Sequence, residues 1–132
     1  MDKEKSLFIV ARNYIRVQKG NVEAVLDVFI YENDGFQVVY APALDLMGYG
    51  KTEEDAKSSF DIVAEDFFEY TIINNTLGEY LTKHGWVARK TSARFVPPQT
   101  EVLLEHNKTL REIFKVDFRK QSVPFNYAFS AC

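Results

Sequence analysis

The stretch from Val22 to Tyr31 constrains the fold more than any other part of the chain. Val22, Ala24, Leu26, Val28 and Ile30 alternate with Glu23, Val25, Asp27, Phe29 and Tyr31, a strict period of two that suits a strand and no helix. Glu32-Asn33-Asp34-Gly35 follows, and Asn, Asp and Gly tolerate the positive φ of a hairpin turn. Phe36 to Ala41 then reads as the returning strand, stopped at Pro42, which has no N–H to offer a ladder. Leu7 to Val17 also alternates, ahead of a turn at Lys19-Gly20-Asn21, and residues 43–50 supply a third short strand before Gly48 and Gly50. A meander of antiparallel strands results.

The pattern then changes period. Thr52 is a natural N-cap, and Glu53, Glu54 and Asp55 place negative charge at the positive end of a helix dipole. Ala56, Phe60, Val63, Phe67 and Tyr70 recur at spacings of four and three, one apolar stripe that Ala64 and Phe68 widen. The helix should close near Asn74-Asn75. Thr76 with Glu79 three residues on reads as a capping box opening a second, short helix, and Gly85 suits the left-handed position that ends it. Trp86 to Lys90 is a candidate strand. Pro97-Pro98 suit the first turn of a helix through Val102, Leu103 and Leu104, and Asn107 caps one further short helix through Leu110, Ile113 and Phe114. Residues 122–130 alternate Val123, Phe125, Tyr127 and Phe129 against Pro124, Asn126, Ala128 and Ser130, an edge strand because of Pro124.

The expected fold class is therefore α+β: an antiparallel sheet, a three-stranded meander plus an additional strand, packed by one long amphipathic helix, with a C-terminal extension of short helices and an edge strand. With 132 residues and 46% of them hydrophobic, the chain is read as a single domain, 1–132, with a core at 21–90 and an extension at 91–132. Its one cysteine, Cys132, excludes a disulfide framework and a cysteine-based zinc site. Neither a membrane-spanning run nor a signal-peptide core is visible, so the expectation is a cytoplasmic protein without a membrane partner.

Charge is unevenly distributed. Residues 53–69 carry seven carboxylates against Lys57 alone, while residues 83–120 carry nine bases against four acids. The net charge of −3 argues against DNA or RNA as a general partner, because phosphate contacts need clustered positive charge. A basic segment at Lys83, Arg89, Lys90 and Arg94 is the one local exception.

No enzyme signature survives inspection. Gly50-Lys51-Thr52 matches the end of a phosphate-binding loop, but the glycine required five residues earlier is Asp45, and the three acids at 53–55 would repel a nucleotide. His84 and His106 are separated by 22 positions with no second His or Cys at ligand spacing. His84 falls in the last turn of the short helix, where a cation favours the dipole. Glu65 and Asp66 are adjacent and point to different helix faces. The expectation is thus no catalytic residue, no cofactor and no metal.

The stretch from Ile30 to Tyr70 resembles the HicB antitoxin family. The likeness is carried by Asp34-Gly35, the strand ending at Pro42 with Leu44 beyond it, and then Gly50, Thr52, Glu54 and Ala56 at a Gly-x-Thr-x-Glu-x-Ala helix start. The resemblance implies a β-β-β-α-β core like a truncated double-stranded-RNA-binding fold, in a non-catalytic protein that binds and masks a small basic ribonuclease toxin. Asp61, Glu65, Asp66 and Glu69 on the acidic helix suit such a partner. Family members often add a DNA-binding half, and residues 91–132 do not have that pattern. The alternative is a stand-alone HicB-like domain acting as an oligomeric scaffold or ligand-binding module, for which the aromatic C-terminal strand suits a homo-oligomer.

Overall fold

The structure, a computed structural model, describes residues 13–90 and 93–129. In chain order these form β1 (Tyr14–Gln18), β2 (Asn21–Asn33), β3 (Phe36–Ala41), β4 (Leu46–Gly50), α1 (Glu53–Ile73) and α2 (Leu77–Lys83). They continue with β5 (Val87–Arg89), β6 (Arg94–Val96), α3 (Thr100–His106), α4 (Lys108–Ile113) and β7 (Phe118–Ala128). The fold is α+β, an antiparallel seven-stranded sheet with one long helix packed against it. The part of the first expected strand that covers residues 7–12 lies outside the described residues; its end forms β1.

β2 is the spine. β7 pairs with it from Asn21↔Ala128 to Tyr31↔Phe118, and a strand has only two edges. β1, paired at Asn21–Val25, and β3, paired at Phe29–Asn33, therefore share the other edge end to end. The sheet runs β4-β3-β2-β1-β6-β5, with β7 beside β2. Lys19 and Gly20 take positive φ in the first hairpin turn, as Asp34 and Gly35 do in the second. β6 was not legible in the sequence, because three residues are too few to show a period. β7 begins at Phe118 rather than residue 122, since its pairing with β2 extends past the alternating apolar stretch. It has no other strand partner among the described residues, consistent with Pro124, and residue 130 lies outside them.

The alternation in β2 separates two cores. Val22, Ala24, Leu26, Val28 and Ile30 are all buried on one face, beneath α1. Phe29 on the opposite face packs with Tyr40, Leu110 and Ile113, and Tyr31, Met47 and Phe118 flank them. The short helices α3 and α4 thus cover the sheet's second face only at its β3–β4 end.

α1 sits on its side differently from the expected stripe. Ala56, Phe60, Ala64, Phe68 and Thr71 form its floor, Val63 and Phe67 flank it half-buried, and Tyr70 is exposed. The cause is a close approach to β4: a Cβ on Gly48 would lie 2.3 Å from the Phe60 nitrogen. Contact that tight selects the row four residues apart that alternates alanine with phenylalanine. Complete burial of Phe60 and Phe68 contributes about 1.5–3 kcal/mol each.

The expected capping box at Thr76 does not form; its side chain makes no cap hydrogen bond. Thr76 instead completes the end of α1. Its N–H donates to Thr71 O at 2.8 Å, the Asn75 N–H donates to Ile72 O at 3.1 Å, and Asn75 takes φ +57. That paired closure leaves Thr76 at ψ 2, outside the extended conformation a capping side chain needs. α2 closes the same way through Gly85 at φ +87, with Trp86 N–H donating to Leu81 O.

Candidate functional site

The structure gives every residue of the helix-start pattern except Glu54 a packing or capping role. Pro42 is buried at the end of β3. Gly50 is required by space and not by φ: a Cβ there would meet Asp55 Cβ at 2.4 Å and Ala56 N at 2.9 Å. Thr52 Oγ1 accepts the Asp55 N–H at 3.1 Å, Glu54 is exposed, and Ala56 is fully buried against the sheet. The same packing answers the phosphate-loop likeness. The space above Gly50 is filled by the first turn of α1, and Thr52 already occupies one of that turn's free amides.

The four α1 carboxylates expected to meet a partner, Asp61, Glu65, Asp66 and Glu69, are all exposed. Asp61 differs from the others, because Tyr127 on β7 donates its hydroxyl to Asp61 Oδ1 at 2.7 Å. Burial and this carboxylate together hold the Tyr127 hydroxyl well above the usual tyrosine range. Asp61 therefore staples α1 to β7, whereas Glu65, Asp66 and Glu69 have no side-chain partner among the described residues. At the start of the helix, Arg119 and Lys57 both pair with Glu53 and hold its carboxyl below the ordinary range.

Between these acids the helix exposes large apolar side chains, of which Tyr70 is expected from the periodicity to be buried and Ile62 and Ile73 fall outside the expected stripe. Ile62 is 61% exposed, Tyr70 67% and Ile73 67%. Ile62, Asp66, Glu69, Tyr70 and Ile73 follow spacings of four, three, one and three, a single outward face about three turns from start to end. Tyr70 also borders a hollow of about 310 Å³ between α1 and α2, floored by Phe67 and Tyr80 and rimmed by Glu79 and Lys83. A long acidic face with apolar anchors and an adjoining hollow has the chemistry of a contact surface, where electrostatics steer a basic partner and buried apolar groups hold it.

A second cleft, about 650 Å³, opens at the end of the sheet. It brings both histidines into one lining, with Asp45, Lys83 and Asn107, although 22 positions separate them in sequence. Its floor is tied by a hydrogen-bonded chain: Asn107 Nδ2 donates to the Tyr40 hydroxyl at 2.9 Å, and that hydroxyl donates to Asp45 Oδ1 at 2.7 Å. Burial, with Asp45 adding to it, raises the Tyr40 hydroxyl far above its ordinary pKa. His84 is the C-cap of α2, stacked on Tyr80 with ring centroids 4.1 Å apart. Its Nδ1 lies 3.0 Å from Tyr80 O; a carbonyl only accepts, so Nδ1 carries the proton. Among the described residues, no three His, Cys, Asp or Glu side chains come together as a metal cage. No described helix is long and apolar enough to cross a membrane.

Neither the protein-family models, the curated proteins nor the solved structures provide a match to this chain.

Proposed function

We propose that this chain is a non-catalytic binding protein of the HicB antitoxin type, which masks a small basic ribonuclease by occupying its active surface. The observation that carries the reading is the outer face of α1, where Asp66 and Glu69 alternate with exposed Ile62, Tyr70 and Ile73. A basic nuclease must present positive charge to hold RNA phosphates, and an acidic, partly apolar helix competes for that same charge. The helix-start pattern at Gly50, Thr52, Glu54 and Ala56 supports the reading, since it sets the helix rigidly on the sheet and so pre-orders the contact face. The reading assigns no reaction, cofactor or metal to the chain.

The test is co-expression with the product of an adjacent small basic reading frame, followed by calorimetry on the purified pair. Wild type is expected to form a tight stoichiometric complex and to restore growth. Asp66→Lys combined with Glu69→Lys should weaken binding at least tenfold without altering the thermal midpoint. A pair that neither associates nor affects growth would overturn the proposal.

Two observations favour a second reading, a stand-alone HicB-like domain used as an oligomeric scaffold or ligand-binding module. The outer edge of β7 has no strand partner among the described residues, and the 650 Å³ cleft is large enough for a small molecule. Light scattering that reports a stable homo-oligomer, with no basic partner protein bound, would select it.

A further inference from the structure

The side of the sheet facing away from α1 carries a row of arginines that no single stretch of sequence contains. Arg89 on β5 is directly opposite Arg94 on β6, and Arg94 is directly opposite Arg16 on β1. Their neighbours fix the direction. Ile15 and Phe95, also paired, belong to the core beneath α1, so residues one position away face outward. At about 4.8 Å between strands, three guanidinium-bearing positions stand side by side across roughly 10 Å.

Like charges directly opposite on neighbouring strands are destabilising, and this fold places two such pairs in succession. Only one of the three charges is met. Arg16 binds Glu23 on β2 through both Nε, at 3.2 Å, and a terminal nitrogen, at 2.5 Å. Arg94 stacks on Tyr14, its guanidinium carbon 4.2 Å from the ring centroid, and its Nε is buried with no hydrogen-bond partner. Arg89 is exposed on the last strand of the sheet and has no acidic partner among the described residues. Among the described residues one carboxylate, Glu23, faces the row and feels both Arg16 and Arg94, which leaves an excess of two positive charges hidden by the overall charge of −3.

We propose that this row is a binding site for the phosphate backbone of single-stranded nucleic acid, laid across β5, β6 and β1. The planar forks of arginine match phosphate oxygens in pairs. The row runs across the strands, so a polyanion crossing the sheet meets all three positions. A peptide strand added to the β5 edge runs along the strands and meets Arg89 alone. The site lies on the opposite face of the sheet from α1 and is independent of the α1 contact surface, so each can fail without the other.

The experiment is fluorescence anisotropy of the full chain with a labelled twelve-residue oligouridylate at 50–200 mM salt. Two unmatched arginines predict a slope of log K against log salt of about −1.4, roughly a sevenfold loss of affinity across that range. Arg89→Gln should halve the slope. Glu23→Gln, which releases Arg16, should tighten binding at 50 mM and steepen the slope to about −2. Lys51→Gln, at the exposed start of α1, should match wild type. Absence of salt-dependent binding by wild type, or Glu23→Gln failing to strengthen it, would overturn the proposal. So would polyglutamate competing as well as unlabelled oligouridylate at equal charge, which would make the site one for an acidic polypeptide.

Discussion

Two glycines and one tyrosine illustrate how single residues set this structure. Gly48 and Gly50 face the backbone of α1 so closely that any side chain displaces the helix. Gly48→Ala is expected to cost about 1–3 kcal/mol by overpacking, read as a lowered midpoint in urea with an unchanged slope. Tyr40 is completely buried, and its hydroxyl joins Asn107 on the extension to Asp45 at the β3–β4 turn. Its raised pKa gives a direction for pH dependence. Between the unfolded tyrosine value near 10 and the higher folded value, the unfolded chain has already released a proton that the native chain retains. Stability is therefore full below pH 10 and falls as pH rises beyond it. Tyr40→Phe should reduce that alkaline loss in thermal midpoints taken from pH 8 to 11.5, leaving the share that the raised Tyr127 hydroxyl contributes. At neutral pH the same variant should lose about 0.5–1.5 kcal/mol, the net worth of a typical hydrogen bond, because water can reach the exposed Asp45 and half-buried Asn107.

At the level of elements, α1 is the place where pattern and packing part company. Both Phe67 and Phe68 fit an apolar stripe, and periodicity alone does not choose between rows 56-60-63-67-70 and 56-60-64-68-71. The choice depends on how near the helix can come to β4, which the two glycines decide. The consequence is measurable. Phe68→Ala should cost about 3–5 kcal/mol, whereas Tyr70→Ala should stay within about 0.5 kcal/mol in stability and should weaken any complex formed through the helix face. Equal losses at the two positions would contradict the observed rotation. The helix ends show the same contrast. Thr52, Asn107 and Gly85 act as their residue types suggest, while Thr76 is drawn into the closure of α1 and caps nothing.

Across the whole molecule, β7 is what turns a meander into a closed unit. It returns from the far end of the chain to pair with all of β2 from Asn21 to Tyr31, delivering Phe125 to one core and Phe118 to the other. A chain ended at Asp117 should lose its cooperative thermal transition and aggregate, because the longest strand then exposes a full edge and an opened core. Pro124 and the charged Arg119 and Lys120 on β7 itself are residues that discourage further edge pairing. The two surfaces considered for binding lie on opposite sides of this sheet, one acidic and one basic.

Much of this was open to reading from the chain alone. The alternation of Val22 to Tyr31, the Asp34-Gly35 turn, the cap at Thr52 and the acidity of residues 53–69 are local facts. Local geometry expresses them directly, as strand, hairpin, helix start and a carboxylate-bearing outer face. What needed the tertiary structure is whatever depends on distance through space between remote segments: the rotation of α1 on Gly48, the tie from Tyr127 to Asp61, the gathering of His84 and His106 in one cleft, and the row of Arg16, Arg94 and Arg89. Periodicity reports which side chains share a face, but the register between strands and the depth of a helix on a sheet come only from packing. Those two quantities decide which charges end up beside one another.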